Sequence, residues 1–185
     1  MRYFYYWYQC FTESDSIKIL NDIEHKLGIY KNNFIDYGAE GKNVTDVKIL
    51  ESKYLSPLMD TFFSRVEIIN EMYFGFNLFN KRPISVHLNY YKNDNKSNYP
   101  FHRDGQELGT MSDIKLTAIL NLSRNPYKGG NFKMLLHSIN PEEVPQINTT
   151  GCILVFPSYI LHQVDPVVDG ERITLSTWFS GPNWK

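Results

Sequence analysis

From about residue 82 onward the chain is a succession of short runs that suit β-strands. ISVHLNYY alternates apolar and polar residues. LTAILNL, NFKMLLH, GCILVFP and RITLSTWF follow, separated by clusters of Asn, Gly and Pro. Such a series of short strands predicts a β-sandwich or a small barrel as the core.

The first 80 residues read differently. TESDSIKILNDIEHKLG carries Ile17, Leu20, Ile23 and Leu27 at helical spacing, with Ser14 or Ser16 as the expected cap and Gly28 as the expected stop. SPLMDTFFSRVEIINEMYFG predicts a second helix. Ser56 is its expected cap, Pro57 suits the first turn, and Leu58, Phe62, Val66, Ile69 and Tyr73 form its apolar face. Residues 29–55 are polar and give little regular signal. The opening MRYFYYWYQCF is expected to be a strand with packed aromatics, rather than a base-stacking platform. It lacks an aliphatic core and a small-residue cleavage site, so it does not read as a signal peptide. Helices followed by strands make an α+β protein that is mainly β.

The chain has 185 residues, 42% hydrophobic and 21% charged, which suits one globular domain over residues 1–185. Helical support is expected over about residues 1–80 and the β core over about 82–185. A net charge of -1 gives no global field for nucleic acid or an anionic membrane. No apolar run is long enough to span a bilayer. Two cysteines, Cys10 and Cys152, form no disulfide framework and fit a reducing cytoplasm.

Within the β region, FHRDG sets His102 and Asp104 two residues apart. In or just beyond a strand both side chains point one way, with Cα atoms about 7 Å apart, and Arg103 points the other way. A histidine and a carboxylate on one face suit Fe(II). A third ligand would stand far off in sequence on a neighbouring strand. His162 follows the strand GCILVF, and ten residues further Arg172 stands on another expected strand. Two histidines and a carboxylate leave three metal positions open, and a guanidinium opposite them binds a dicarboxylate bidentately.

Roughly residues 84–185 resemble the Fe(II)- and 2-oxoglutarate-dependent oxygenases, in particular their prolyl-4-hydroxylase-like branch. The resembling pieces are Tyr99-x-x-His102-x-Asp104, KLTAILNLSRNPYKGGNF (115–132) and GCILVFPSYILHQVDPVVDGERITLSTWFSGP (151–182). A lone H-x-D is weak, but the Gly-Gly pair, Phe-Pro-Ser, Pro-Val and Gly-x-Arg-x-Thr all stand in the family's order. The resemblance implies a double-stranded β-helix, a jelly roll of the cupin kind, with the N-terminal helices on one sheet. It implies His102, Asp104 and His162 as catalytic iron ligands, and Arg172 as the partner of the distal carboxylate of 2-oxoglutarate. Thr174 is expected to line the same pocket. The family has a tyrosine about ten residues before its first ligand. Tyr91 stands eleven before His102 and is preferred, with Tyr90 in reserve.

The implied cofactors are Fe(II), 2-oxoglutarate as cosubstrate and O2, with ascorbate as a candidate reductant. The implied reaction hydroxylates an unactivated C–H and releases succinate and carbon dioxide. Neutral imidazoles are required, so activity is expected to fall in acid. The implied substrate is a prolyl or other amino-acyl residue of a peptide or protein, with a small molecule as the alternative. The segment 29–55 and the loop 92–100 are candidate lids. Two other functions compete: a β-helix binding protein that has lost turnover, and the same chemistry on a nucleic acid, which the net charge does not favour.

The remaining polar residues have ordinary readings. His87 is expected in a pocket wall, His25 and His137 at the surface, Trp178 in the core, and Cys152 buried and inert. Asp165 belongs to a turn, and Gly129-Gly130 reads as a hairpin turn.

Overall fold

The computed structural model describes residues 4–29, 45–94, 96–105, 114–136 and 139–183. Strand β1 (Tyr6–Gln9) precedes helix α1 (Glu13–Ile29). Strand β2 (Asp46–Glu51) leads through a short 3-10 turn to helix α2 (Leu58–Ile69). There follow β3 (Ser85–Lys92), β4 (Tyr99–His102), β5 (Ile114–Asn121), β6 (Lys128–Gly129), β7 (Phe132–Leu135) and β8 (Glu142–Glu143). The chain then forms β9 (Cys152–Pro157), β10 (Leu161–Val164), β11 (Val167–Asp169) and β12 (Glu171–Ser180).

The strands make a six-stranded major sheet in the order β1-β9-β5-β12-β3-β2 and a four-stranded minor sheet in the order β4-β10-β7-β8. Strands β11 and β6 pair as a separate two-stranded ribbon. All pairs are antiparallel and the sheets keep free edges, so the fold is mainly β with a jelly-roll core.

Central strands of the major sheet are buried on both faces, and their alternation sorts residues between two cores. Leu88 and Val86 of β3, Ala118 and Leu120 of β5, and Ile173, Leu175 and Phe179 of β12 face the helices. There they meet Ile19, Leu20 and Ile23 of α1 and Met59, Phe62, Phe63 and Val66 of α2. On the opposite face Tyr91, Ile119, Leu154 and Phe156 meet Phe132, Met134 and Val164 of the minor sheet. Phe62 is fully buried in the helix-side core. Phe62→Ala should therefore lower stability by about 3–5 kcal/mol, read from the denaturant midpoint of the metal-free protein.

Local signals differ from expectation at the helix ends. Thr12, rather than Ser14 or Ser16, caps α1: its hydroxyl oxygen accepts from Asp15 N–H at 3.1 Å. Gly28 lies inside the last turn rather than ending the helix. Helix α2 starts without a side-chain cap, with Pro57 before it, so Ser56 does not serve as one. It continues as a π-helical turn over Asn70–Phe74 and ends at Gly75, whose φ of 69° is left-handed. The polar stretch 29–55 contains strand β2, an edge strand that among the described residues pairs with β3 alone. Gly129 and Gly130 do not turn a hairpin. Strand β6 pairs with β11 while β7 pairs with β10 and β8, so the glycines carry the chain from the ribbon into the minor sheet.

Among the described residues no helix is long and apolar enough to cross a membrane. His137 and residues 30–44 of the first candidate lid lie outside the described residues, as does Asn95 of the second.

Candidate metal centre

Strands β10 and β4 pair so that His162 stands directly opposite His102. Their rings approach to 4.2 Å between centroids. Asp104 follows β4 in a turn, where its N–H donates to the Ser158 carbonyl at 3.1 Å. The carboxylate thereby comes between the imidazoles. Oδ1 lies 3.6 Å from His102 Nε2 and Oδ2 lies 3.7 Å from His162 Nε2. One ligand atom from each residue lies within 4.8 Å of the others. The structure thus brings together the three residues that the family resemblance implied as ligands.

The imidazoles are oriented by backbone carbonyls two residues before each. His102 Nδ1 is 2.9 Å from Pro100 O, and His162 Nδ1 is 2.8 Å from Ile160 O. A carbonyl only accepts, so each Nδ1 donates and each Nε2 is the ring nitrogen turned toward Asp104. Phe156 packs edge-on against His162 at 4.8 Å, and Phe132 stacks on it at 5.5 Å. His162 is buried, whereas the His102 side chain keeps 23% of its surface exposed and marks the open side of the site.

Burial pushes the His162 imidazole down to about 4, against the opposing pull of Asp104. Burial alone would raise the Asp104 carboxyl. The His102 hydrogen bond, the nearby His162 and the Thr117 hydroxyl outweigh it and hold the group below the usual carboxylate range. Near neutral pH the site therefore offers a neutral His162 nitrogen and an anionic Asp104 oxygen, which with the His102 ring make a donor set that fits Fe(II).

On the facing major sheet, Arg172 of β12 stands opposite Tyr91 of β3. Its guanidinium lies 5.1 Å from the Tyr91 ring centroid. Arg172 is 1% exposed, and Nε and Nη2 are buried without a hydrogen-bond partner among the described residues. An unpaired buried guanidinium is costly, and a carboxylate is the partner that satisfies its fork. Thr174, fully buried, is next on the same face. Space at Arg172 depends on Gly130: a Cβ there would come to 3.0 Å from Arg172 Cδ, and its φ of 63° is already left-handed. Tyr90 faces the other way. Its hydroxyl donates to Glu24 of α1 at 2.8 Å, so it belongs to the helix-side core.

No protein-family model matches the chain. It is 31% identical over 88 residues to a PKHD-type hydroxylase of Prochlorococcus marinus (strain AS9601), covering 47% of this chain and 38% of the relative. The chain thus matches well under half the length of the curated relatives it resembles. A prolyl-4-hydroxylase of Pseudomonas putida superposes with a TM-score of 0.67 at 18% identity, over 96% of this chain and 92% of that one. A non-heme alpha ketoglutarate dependent carbocyclase of nogalamycin biosynthesis superposes at 0.70 and 14% identity, over 96% and 80%. The fold is that of the prolyl-4-hydroxylase-like 2-oxoglutarate oxygenases.

In this fold, one residue that the sequence left unremarked stands beside the ligands. Thr117 of β5 donates its hydroxyl to Asp104 Oδ2. The sequence signal was a polar residue at an inward position of the otherwise apolar LTAIL. Trp178, opposite Thr117 in the register, is half-buried, with its Nε1 screened from water and unpartnered among the described residues. His87 meets it edge-on at 4.5 Å and belongs to the wall, as expected. His25 is exposed, and Asp165 pairs with Lys133 at 2.6 Å. Cys152 is buried with its thiol pushed up to about 11 by burial, which leaves it inert.

Burial likewise pushes His87 down to about 4. In the unfolded chain both imidazoles titrate near 6.5. Between those values the unfolded state binds more protons, so stability is full above about pH 6.5 and is lost as pH falls toward 4. The metal-free protein should accordingly melt several degrees lower at pH 4.5 than at pH 7.5. A flat melting temperature across that range would contradict the burial of these two rings.

Proposed function

We propose that this chain is an Fe(II)- and 2-oxoglutarate-dependent oxygenase that hydroxylates a C–H centre, with succinate and carbon dioxide as co-products. Its target on this reading is a prolyl or other amino-acyl residue of a peptide or protein. The observation that carries the reading is a two-histidine, one-carboxylate cluster facing a buried arginine with unsatisfied donors.

Each residue then has a role. His102, Asp104 and His162 hold the metal, and the Pro100 and Ile160 carbonyls keep both imidazoles in the Nε2-binding tautomer. Arg172 takes the distal carboxylate of 2-oxoglutarate, with Tyr91 and Thr174 lining the pocket. When bound, the metal supplies the activation of oxygen. Phe132 and Phe156 shield His162 and keep water from that side of the site. The whole chain serves as one oxygenase domain, and its free cysteines suit a reducing cytoplasm.

Fold does not choose a substrate, and the nogalamycin carbocyclase shows this architecture in another setting. The test is succinate formation from 2-oxoglutarate with Fe(II) and O2, across proline-containing peptides, free amino acids and small metabolites, with and without ascorbate. Iron-dependent succinate that rises with a peptide supports the full reading. A rise with a free metabolite instead moves the target class and keeps the chemistry. No succinate from folded, metal-loaded protein sinks the reading in favour of a binding protein.

A further inference from the structure

We propose that Thr117 is a positioning residue that decides which oxygen of Asp104 meets the metal. Its hydroxyl occupies Oδ2 and leaves Oδ1 as the oxygen offered to the ion. The inference rests on the metal reading above and concerns how the chain prepares its carboxylate.

Thr117 sits where a strand core prefers an aliphatic residue. Its neighbours in β5 are Leu116, Ala118, Ile119 and Leu120, all buried, and Thr117 itself is 2% exposed. Valine has the same shape and no hydroxyl to satisfy. A buried hydroxyl without an acceptor costs about 1–3 kcal/mol. The acceptor it has is the Asp104 carboxylate, 13 residues earlier in sequence.

The donor is held more firmly than the acceptor. Strand β5 is paired on both sides, with Thr117 opposite Trp178 of β12 and opposite Phe156 of β9. A β-branched side chain on such a backbone has few χ1 choices. Asp104 instead lies in a turn beyond the end of β4, anchored by its backbone bond to Ser158. Its side chain alone would leave both oxygens free to bind one ion.

That freedom matters because the two modes leave different sites. A carboxylate binding through both oxygens fills two positions, and with two imidazoles only two of six remain. A cosubstrate that chelates through two atoms, together with O2, requires three. Engaging Oδ2 with a hydroxyl favours the mode that keeps three open. The two oxygens already differ in surroundings, with Oδ1 facing His102 and Oδ2 facing His162.

The test compares the full chain with Thr117→Val and Thr117→Ser. Co(II) affinity and visible absorption are measured anaerobically, with melting of the metal-free proteins alongside. Thr117→Val should weaken Co(II) binding about 10–100-fold and alter the absorption band, while Thr117→Ser restores both. A purely structural role would instead lower the metal-free melting temperature and leave affinity untouched, and that result overturns the inference. Should the valine variant not fold, Thr117→Ala is measured the same way against the serine variant. Wild-type protein that binds no metal would overturn the metal reading and this inference together. Wild-type binding with an unaffected valine variant overturns this inference alone.

Discussion

Asp104→Ala should abolish iron-dependent succinate formation and weaken metal binding by more than about a hundredfold, beyond the range seen when an outer-shell partner is lost. The carboxylate is the anionic member of the cluster, and both imidazole Nε2 atoms lie within 3.7 Å of one of its oxygens. Without it, the two imidazoles face an open position. The fold should survive, because Asp104 lies in a turn and its backbone N–H still reaches Ser158. Asp104→Glu should fail almost as completely, since an added methylene displaces an oxygen whose placement tolerates a few tenths of an ångström. Metal titration and circular dichroism on the same samples separate loss of ligand from loss of structure. Alanine protein that binds metal as the wild type does would remove Asp104 from the site.

Arg172→Ala should raise the 2-oxoglutarate concentration needed for half-maximal turnover by at least about a hundredfold. A fork of two hydrogen bonds to a carboxylate contributes about 1.5–3 kcal/mol per bond when one partner is charged, and more when both are. The guanidinium is fully buried and has donors to spare, so no solvent substitutes for it. Lysine should recover part of the loss. It keeps the charge but presents a point donor where the site offers a planar fork. Metal affinity should stay within a few-fold of wild type in both variants, because Arg172 lies on the facing sheet and outside the ligand cluster. An unchanged 2-oxoglutarate requirement would place the dicarboxylate elsewhere.

Much of this was legible because period and polarity coincide in the long strands. The expected ISVHLNYY, LTAILNL, GCILVFP and RITLSTWF became β3, β5, β9 and β12 with small shifts at their ends. Strand β2 was not legible, since a half-exposed edge strand carries DVKILE without a clean alternation. His102 and Asp104 stood out by spacing, His162 and Arg172 by residue type and the family resemblance, and the register places them in two facing groups. The choice between Tyr91 and Tyr90 turned on one residue of register, which pairs Tyr91 with Arg172 and turns Tyr90 toward α1. Thr117 showed only as a polar residue in an apolar strand, and its role, like that of Gly130, was hidden because it lies in what approaches from distant strands. The same holds for Thr12, whose selection over Ser14 and Ser16 depended on where α1 begins.

The two imidazoles belong to the minor sheet and the arginine to the major one. The gap between stacked sheets, about 10 Å, therefore acts as a ruler. On the proposed reading, an acid held at one end by the metal and at the other by Arg172 has to reach from the minor-sheet ligands to the major-sheet guanidinium, so the packing between the sheets limits which chain lengths fit. The spacing is set by the interleaved side chains, among them Phe132 and Phe156, whose ring centroids meet at 5.7 Å. Residues that never touch a bound acid thus help decide how long it is allowed to be.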